Sequence, residues 1–211
     1  MIIYLIRHGR SNANEAGLVT GTPVDTLCGE GGEQSLRTAA WLSELGISAE
    51  RHVTSQWRRA QQTAAIIRPG INWDIDVRVG ETKAGDVAEW PLDQFLIQYP
   101  DFYSDFTIRY PNGESHFELN ERVLQWFHEQ LSHPVSSVML VAHSGPISCI
   151  LQYALGISME RFPAFLPAHS SLSVLDITKS AGIWRSKLLG FSLGPAANIP
   201  KYAGYSDGVK R

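Results

Sequence analysis

MIIYLIRHG, residues 1–9, is the stretch of sequence that decides the fold. Its first six residues are apolar on both faces of an extended chain and rich in β-branched side chains, which is typical of a central strand covered by helices. Arg7 and His8 follow at the carboxyl end of this strand, and Gly9 turns the chain. Ligands in open α/β sheets bind outside such strand ends. The pair is therefore a candidate functional site, although a structural ion pair of Arg7 and a hydrogen bond of His8 to a carbonyl group would also explain it.

A second strand ends in the same kind of residue. Residues 137–142, SVMLVA, are apolar and are followed by His143, Ser144 and Gly145. The pattern of residues 146–155 indicates a helix, whose N-terminus would present free backbone N–H groups to an anion just beyond His143. Two strands are thus expected to deliver histidines to one rim of the sheet.

Strand-like and helix-like segments alternate along the chain, which predicts an α/β fold: a three-layer α/β/α sandwich with a mostly parallel central sheet and helices on both faces. A length of 211 residues fits a single domain over residues 1–211. The irregular, aromatic residues 82–113 are expected to form a small helical lid insertion, and residues 194–211 a tail. Further strands are predicted at residues 52–55, 73–79, 171–177 and 183–191, and helices at residues 33–45, 59–67, 114–131 and 146–155.

Composition excludes several classes of protein. The formal net charge is −3 and no long basic run is present, so neither nucleic acid nor a membrane surface is an expected partner. No stretch approaches the ~18 consecutive apolar residues of a transmembrane helix, and Arg7 and His8 interrupt the region where a signal peptide would be apolar. We therefore expect a cytoplasmic protein. Cys28 and Cys149 have no metal or redox spacing, so reduced thiols and no metal or other cofactor are expected.

Two histidines and several arginines at one strand rim suit a phosphate group. The planar fork of arginine matches phosphate oxygens, and a neutral imidazole is a competent nucleophile toward phosphorus. Residues 55–64, SQWRRAQQTA, offer a further arginine at another junction between a strand and a helix. We prefer Arg59 to Arg58 because Arg59 lies closer to the start of the amphipathic run.

Four motifs, in order along the chain, resemble those of the histidine phosphatase superfamily, in its phosphoglycerate mutase-like branch. They are residues 7–14, RHGRSNAN; residues 55–64; residues 113–115, Gly-Glu-Ser; and residues 143–145, His-Ser-Gly. The resemblance extends from Leu5 to about Leu175.

The resemblance implies a phosphotransferase that needs no metal. His8 would attack phosphorus to form a phosphohistidine, while Arg7, Arg59 and His143 would hold the phosphate oxygens with help from Asn14. The family also uses a carboxylic acid to protonate the departing ester oxygen. Glu81 is assigned this role because it stands four residues before Gly85, as the family's glutamate stands before its glycine.

Several other residues are weighed beside these. Glu89 is the alternative acid. Thr20 and Gly21 resemble a family pair that contacts phosphate or substrate, and Ser144 is counted with the phosphate-binding residues. Arg10 replaces the usual Glu or Gln, so it either favours a second anionic group on the ligand or faces outward. His52, His116, His128, His133 and His169 are expected to be structural or surface residues, and a capping role for Glu114 and Ser115 is as reasonable as substrate contact.

Hydrolysis of a small phosphorylated metabolite is the leading function. The residues between Thr82 and Pro111 do not resemble the segment with which glycolytic mutases recognise a bisphosphorylated glycerate. A phosphoglycerate mutase remains the alternative, and an inactive protein that binds a phosphorylated ligand is a third. The oligomeric state is left open, with a homodimer as one option.

Overall fold

The computed structural model describes residues 1–133 and 135–195, so most of the tail predicted for residues 194–211 lies outside the described residues. The strands are β1 Ile2–Arg7, β2 Arg51–Ser55, β3 Asp74–Asp76, β4 Ser137–Ala142, β5 Leu172–Ser180 and β6 Ile183–Leu193. The helices are α1 Asn12–Glu15, α2 Gly29–Glu44, α3 Arg58–Ile67, α4 Leu92–Gln98, α5 His116–Ser132 and α6 Ser144–Ala154.

The strands form one six-stranded sheet in the order β3-β2-β4-β1-β5-β6. Strands β3, β2, β4 and β1 run parallel to one another, whereas β5 and β6 are antiparallel additions at the other side. The register of β1 on β4 pairs Arg7 with Ala142. Residues His8 and His143 therefore leave the sheet side by side, at the carboxyl ends of adjacent parallel strands.

Helices cover both faces of the sheet, as predicted. Because side chains alternate along a strand, Ile3 and Leu5 of β1 pack with α5 and α6, while Ile6 packs on the opposite face with α2 and α3. These residues are fully buried. The two apolar layers make β1 a central strand, which explains its continuous apolar sequence.

Two predicted elements differ from the observed ones. The strand expected at residues 73–79 is only Asp74–Asp76, because the Asp76 side chain accepts a hydrogen bond from the Arg78 backbone N–H and turns the next residues into a 3-10 helix. Helix α2 begins at Gly29 rather than at residue 33. One of its glycines is needed there: a Cβ on Gly31 would lie 1.9 Å from the carbonyl oxygen of Arg10.

Residues 82–113 pack around a small apolar cluster of their own, formed by Ala84, Val87, Phe95, Phe102 and Tyr110. Short helical turns at Gly85–Val87 and Phe102–Ser104 flank α4 in this region. No helix among the described residues is long and apolar enough to span a membrane.

Candidate active site

The two histidines that follow β1 and β4 face each other. The backbone N–H of His8 donates to the carbonyl oxygen of Ala142 at 2.9 Å, which extends the strand pairing by one residue. The ring centroids of His8 and His143 are 4.9 Å apart. Both side chains are buried, with 1% and 0% of their surface exposed. Parallel pairing, which no local sequence pattern specifies, therefore creates the pair.

Hydrogen bonds determine which nitrogen of His8 is free to react. Nδ1 lies 2.6 Å from the carbonyl oxygen of Gly9, which can only accept, so Nδ1 carries the proton. Nε2 accepts a hydrogen bond from Nε of Arg59 at 3.1 Å, and thus holds a lone pair. Burial lowers the pKa of His8 well below its ordinary value, and the positive charge of Arg59 lowers it further. His8 is consequently a neutral imidazole with a nucleophilic Nε2.

Arg59, near the start of α3, lies beside that nitrogen. Its side chain is almost fully buried, pairs with Asp25 at 3.0 Å and stands over the ring of Trp57 at 4.5 Å. Burial lowers the pKa of Arg59, and the charges of Glu81 and Asp25 raise it. Gly21 is packed against this guanidinium, since a Cβ there would lie 3.2 Å from Nη1 of Arg59. Of the two neighbouring arginines, it is Arg59, which we preferred to Arg58, that lies beside His8. Its partner Asp25 was not predicted from the sequence.

His143 presents one nitrogen to the site. Its Nε2 lies 2.7 Å from Oγ of Ser55, at the end of β2, and that oxygen accepts a hydrogen bond from the Trp57 backbone N–H at 3.2 Å. When the hydroxyl of Ser55 donates to Nε2, the neutral ring carries its hydrogen on Nδ1. Nδ1 is buried and has no hydrogen-bond partner within residues 1–133 and 135–195. In that tautomer Nδ1 is a donor available to an oxygen of a ligand.

Arg7, Asn14 and His169 complete this side of the site. Nη1 of Arg7 donates to the carbonyl oxygen of Pro167 at 2.7 Å. The Oδ1 atom of Asn14 accepts from the Ser11 backbone N–H at 3.2 Å and lies 3.0 Å from Nε2 of His169. The ring of His169 is 5.7 Å from that of His8, and burial together with Arg7 lowers its pKa to about 2. His169 thus lies at the site, which differs from the structural or surface role expected from the sequence.

Glu81 lies on the opposite side, close to the start of α6. One carboxylate oxygen accepts from the Thr82 backbone N–H at 3.0 Å, and the other lies 3.5 Å from Oγ of Ser144. A Cβ on Gly145 would come within 2.4 Å of Oε1 of Glu81, so a larger residue there would displace the carboxylate from this position. The alternative acid, Glu89, is exposed to solvent. The structure therefore places Glu81, and not Glu89, beside the residues that follow His143.

A buried ion pair holds the loop that carries Glu81. Arg122 of α5 donates to the carbonyl oxygens of Arg78, Gly80 and Glu81 at 2.7, 2.9 and 2.9 Å. Its guanidinium also binds the carboxylate of Glu114 at 2.5 and 3.0 Å. The sequence drew attention to Glu114 but not to Arg122, because nothing local to α5 indicates which loop its side chain would reach.

Of the two residues considered as caps of α5, only one has that role. Ser115 is the N-cap of α5, and its hydroxyl accepts from the Glu118 backbone N–H at 3.2 Å. Glu114 does not cap the helix and instead accepts from the Lys83 backbone N–H at 2.8 Å.

The remaining predicted residues lie at the edge of the site. The hydroxyl of Thr20 donates to the carbonyl oxygen of Gly21 at 3.0 Å. The guanidinium of Arg10 pairs with Glu30 at 2.6 Å, on a half-exposed surface of α2. Arg10 also lines a cavity of about 570 Å³ together with Asn14 and His169, so both alternatives for Arg10 stay open. Contact with phosphate by Thr20, Ser144 or Arg10 stays a prediction. Within the described part of the chain, His, Cys, Asp and Glu side chains form no group of three that could hold a metal ion.

Comparison with known proteins agrees with this geometry. Residues 3–189 match the family model described as histidine phosphatase superfamily (branch 1). The chain is 30% identical over 182 residues to 6-phosphofructo-2-kinase/fructose-2,6-bisphosphatase 4 of Rattus norvegicus, covering 83% of this chain and 37% of that protein. The chain thus spans little more than a third of these longer curated relatives.

Two further relatives are of similar size to this chain. A protein of Escherichia fergusonii named Probable phosphoglycerate mutase GpmB is 28% identical, with 84% of this chain and 86% of the relative covered. The solved structure of a mycobacterial glucosyl-3-phosphoglycerate phosphatase superposes with a TM-score of 0.77 at 24% identity, covering 90% of this chain and 98% of that one. At this identity the structural likeness shows the fold.

Proposed function

The chain belongs to branch 1 of the histidine phosphatase superfamily, and from that premise we propose that it hydrolyses a small phosphorylated metabolite through a phosphohistidine on His8, without a metal ion. The observation that carries the proposal is the buried pair of His8 and His143. One ring offers a lone pair on Nε2, and the other offers an unpartnered Nδ1. A phosphoryl group between them would meet a nucleophile on one side and a hydrogen-bond donor on another.

The first half of the reaction transfers the phosphoryl group to the enzyme. Binding moves the hydrogen bond of Arg59 from Nε2 of His8 to a phosphate oxygen, which frees the lone pair. Nε2 then forms a bond to phosphorus as the ester P–O bond breaks, and Glu81 gives a proton to the departing alcohol oxygen. Arg7, Arg59 and His143 stabilise the charge on the three equatorial oxygens, where most of it resides in the transition state.

The second half returns the enzyme to its starting state. A water molecule takes the place of the alcohol, and the carboxylate of Glu81 accepts its proton as its oxygen attacks phosphorus. The P–N bond to His8 breaks, and inorganic phosphate leaves. Neutral histidine is regenerated because burial and the neighbouring arginine hold its pKa low.

The test is a panel of phosphomonoesters assayed on the wild type and on His8→Ala. Phosphate release that is lost in His8→Ala, together with an acid-labile phosphoenzyme in the wild type, supports the proposal. A protein that forms no phosphoenzyme and turns over no ester would be a binding protein, and the hydrolytic proposal would be wrong.

A mutase is the second candidate, because a relative named as a phosphoglycerate mutase aligns over most of both chains. In that case the phosphoryl group on His8 would return to a glycerate instead of passing to water. The panel therefore includes 3-phosphoglycerate with and without 2,3-bisphosphoglycerate as primer. Primer-dependent isomerisation that outpaces phosphate release would favour the mutase.

A further inference from the structure

The cavity of about 570 Å³ lies between α2 and the residues that precede β5. The backbone N–H of Ser170, in its lining, donates to the carbonyl oxygen of His8 at 3.1 Å. The carbonyl oxygen of Ser170 accepts from the hydroxyl of Thr38, on the α2 side, at 2.7 Å. The ring of His169, also in the lining, is 5.7 Å from that of His8. A hydrogen bond and a ring contact therefore join this cavity to the nucleophile.

Asn14 belongs to both the cavity and the active site. Its Oδ1 atom accepts from the backbone N–H and the hydroxyl of Ser11 at 3.2 and 3.0 Å. Because this oxygen can only accept, His169, 3.0 Å away, donates to it through Nε2. Three donors thus hold the oxygen, and the side-chain N–H groups of Asn14 have no partner among the residues that the structure describes. These N–H groups are available to an oxygen of a ligand.

The charges of the cavity are mainly positive. Arg10, Arg37 and Glu30 are the charged side chains in its described lining. Arg10 pairs with Glu30 at 2.6 Å, whereas the side chain of Arg37 has no ion-pair or hydrogen-bond partner within residues 1–133 and 135–195. His169 adds no charge at pH 7, since burial and the charge of Arg7 lower its pKa to about 2. One positive charge is therefore left without a counter-ion in this part of the chain.

Glu30 holds Arg10 at the wall of the cavity. The other carboxylate oxygen of Glu30 accepts from Nε2 of Gln34 at 3.0 Å, and Oε1 of Gln34 accepts from the backbone N–H of Arg10 at 3.0 Å. The guanidinium of Arg10 donates one hydrogen bond to Glu30 and keeps further N–H groups for a ligand. An acidic group of a ligand would meet these N–H groups and the free charge of Arg37, and the guanidinium fork fits both carboxylate and phosphate.

We infer that this cavity binds a second acidic group of the substrate, a carboxylate or a second phosphate, through Arg37 and Arg10. The phosphoryl group to be transferred lies at His8, and the part of the substrate that joins the two groups passes Asn14 and His169. This inference rests on the proposed phosphatase activity.

The experiment measures phosphate release from two pairs of esters. 3-Phosphoglycerate and glycerol 1-phosphate differ in a carboxylate, and fructose 1,6-bisphosphate and fructose 6-phosphate differ in a phosphate group. We expect kcat/KM to be about tenfold higher for the member with the extra acidic group, from its attraction to arginines near a solvated surface. A preference confined to one pair identifies that acidic group as the one the cavity binds. The preference should weaken between ~0.01 M and ~1 M salt, because the screening length falls from about 30 Å to about 3 Å.

The role of Arg37 is tested with Arg37→Gln, which removes the charge that has no counter-ion. The preference for the acidic ester should fall about fivefold, through a loss of kcat/KM for that ester and a much smaller change for its partner. The matched control is Arg185→Gln, which removes an exposed arginine of β6 that does not line the cavity. It should alter the preference in neither pair.

Substitutions of Arg10 and Glu30 should act in opposite directions. Arg10→Gln removes a cation and leaves the carboxylate of Glu30 in the lining, so kcat/KM for the acidic ester should fall about tenfold. Glu30→Gln removes the carboxylate that competes with the ligand, so kcat/KM for the acidic ester should rise about threefold. If the ion pair served only to hold two segments together, both variants would lose activity on every ester, and the inference would be wrong.

The outcomes separate the two proposals. A wild-type protein that hydrolyses these esters without preferring the acidic member of either pair would overturn the inference while supporting the phosphatase. The same holds if Arg37→Gln keeps the full preference. A wild-type protein that hydrolyses none of the esters and forms no phosphoenzyme would contradict the proposed function and the inference with it.

Discussion

Replacing Glu114 by Gln should slow the hydrolysis of alkyl phosphates far more than that of p-nitrophenyl phosphate. The carboxylate of Glu114 neutralises Arg122, whose N–H groups hold the carbonyl oxygens of Arg78, Gly80 and Glu81. Without the carboxylate of Glu114, the loop is held less firmly, and Glu81, the proposed acid, can move with it. An alkoxide leaves poorly unless it is protonated, whereas p-nitrophenolate leaves readily. The leaving group therefore reports whether the acid is in place.

The size of the expected losses in stability and in kcat follows from the contacts of Glu114. Glu114 accepts three hydrogen bonds, one from the Lys83 backbone at 2.8 Å and two from Arg122 at 2.5 and 3.0 Å, with 10% of its side chain exposed. Gln turns one acceptor into a donor that faces Arg122, which costs about 2–3 kcal/mol for a charge-assisted bond. A protein of this size should then lose about 5–10 °C in Tm. A displacement of Glu81 by about 1 Å would reduce kcat up to about 100-fold.

The assay measures kcat and KM for glycerol 1-phosphate and p-nitrophenyl phosphate, with thermal unfolding followed in parallel. The control is Glu118→Gln, at the same end of α5, where the side chain accepts from the Ser115 backbone and pairs with Arg109 without touching the loop. It should lower Tm without a dependence on the leaving group. Equal losses on both esters in Glu114→Gln, or none on either, would refute the reasoning.

Three further changes test other contacts. Asp25→Asn removes the buried carboxylate that pairs with Arg59, so kcat/KM should fall about tenfold or more. The control Asp74→Asn, which alters a surface ion pair, should leave kcat/KM unchanged. Equal effects of the two variants would contradict a role of Asp25 in positioning Arg59. Ser55→Ala removes the partner of the second histidine and should weaken competitive inhibition by inorganic phosphate about tenfold; wild-type inhibition would show that Ser55 does not orient that ring. Burial lowers the pKa of His116 from the ordinary value of about 6.5 to about 4. The unfolded chain therefore binds more protons below pH ~6.5, and the free energy of unfolding should fall as pH drops toward ~4, by up to about 3 kcal/mol from this residue. Denaturant unfolding at pH 7.5 and 5 should show a smaller difference in His116→Phe; an equal difference would contradict the shift.

Local patterns were sufficient for the two reactive strand ends. The apolar runs before Arg7 and before His143 predict buried strands. The types of residue that follow these strands, arginine and histidine, were enough to predict a phosphate site. The parallel register that pairs Arg7 with Ala142 confirms that the two strands end side by side. Helices α2, α3, α5 and α6 were found from their periodicity, although α2 begins earlier than predicted, at Gly29, and its Gly31 packs closely against Arg10.

The supporting contacts could not be predicted in this way. Asp25 reaches Arg59 across 34 residues, Ser55 reaches His143 across 88, and His169 reaches Asn14 across 155. Each partner is an ordinary polar residue in its own segment, with many surface positions that it would suit equally well. Only the packing of separate elements brings each of these residues to its hydrogen-bond partner and excludes water from the contact.

By itself, then, the sequence determined the class of fold, the family and the residues able to carry phosphoryl chemistry, because apolar periodicity and side-chain chemistry are properties of a segment. Tertiary structure decided the rest: which nitrogen of His8 keeps its lone pair, which glutamate lies beside Ser144 and Gly145, and that Arg10 is paired with Glu30. These depend on burial and on hydrogen-bond partners brought from distant parts of the chain, and such partners exist only once the sheet has formed.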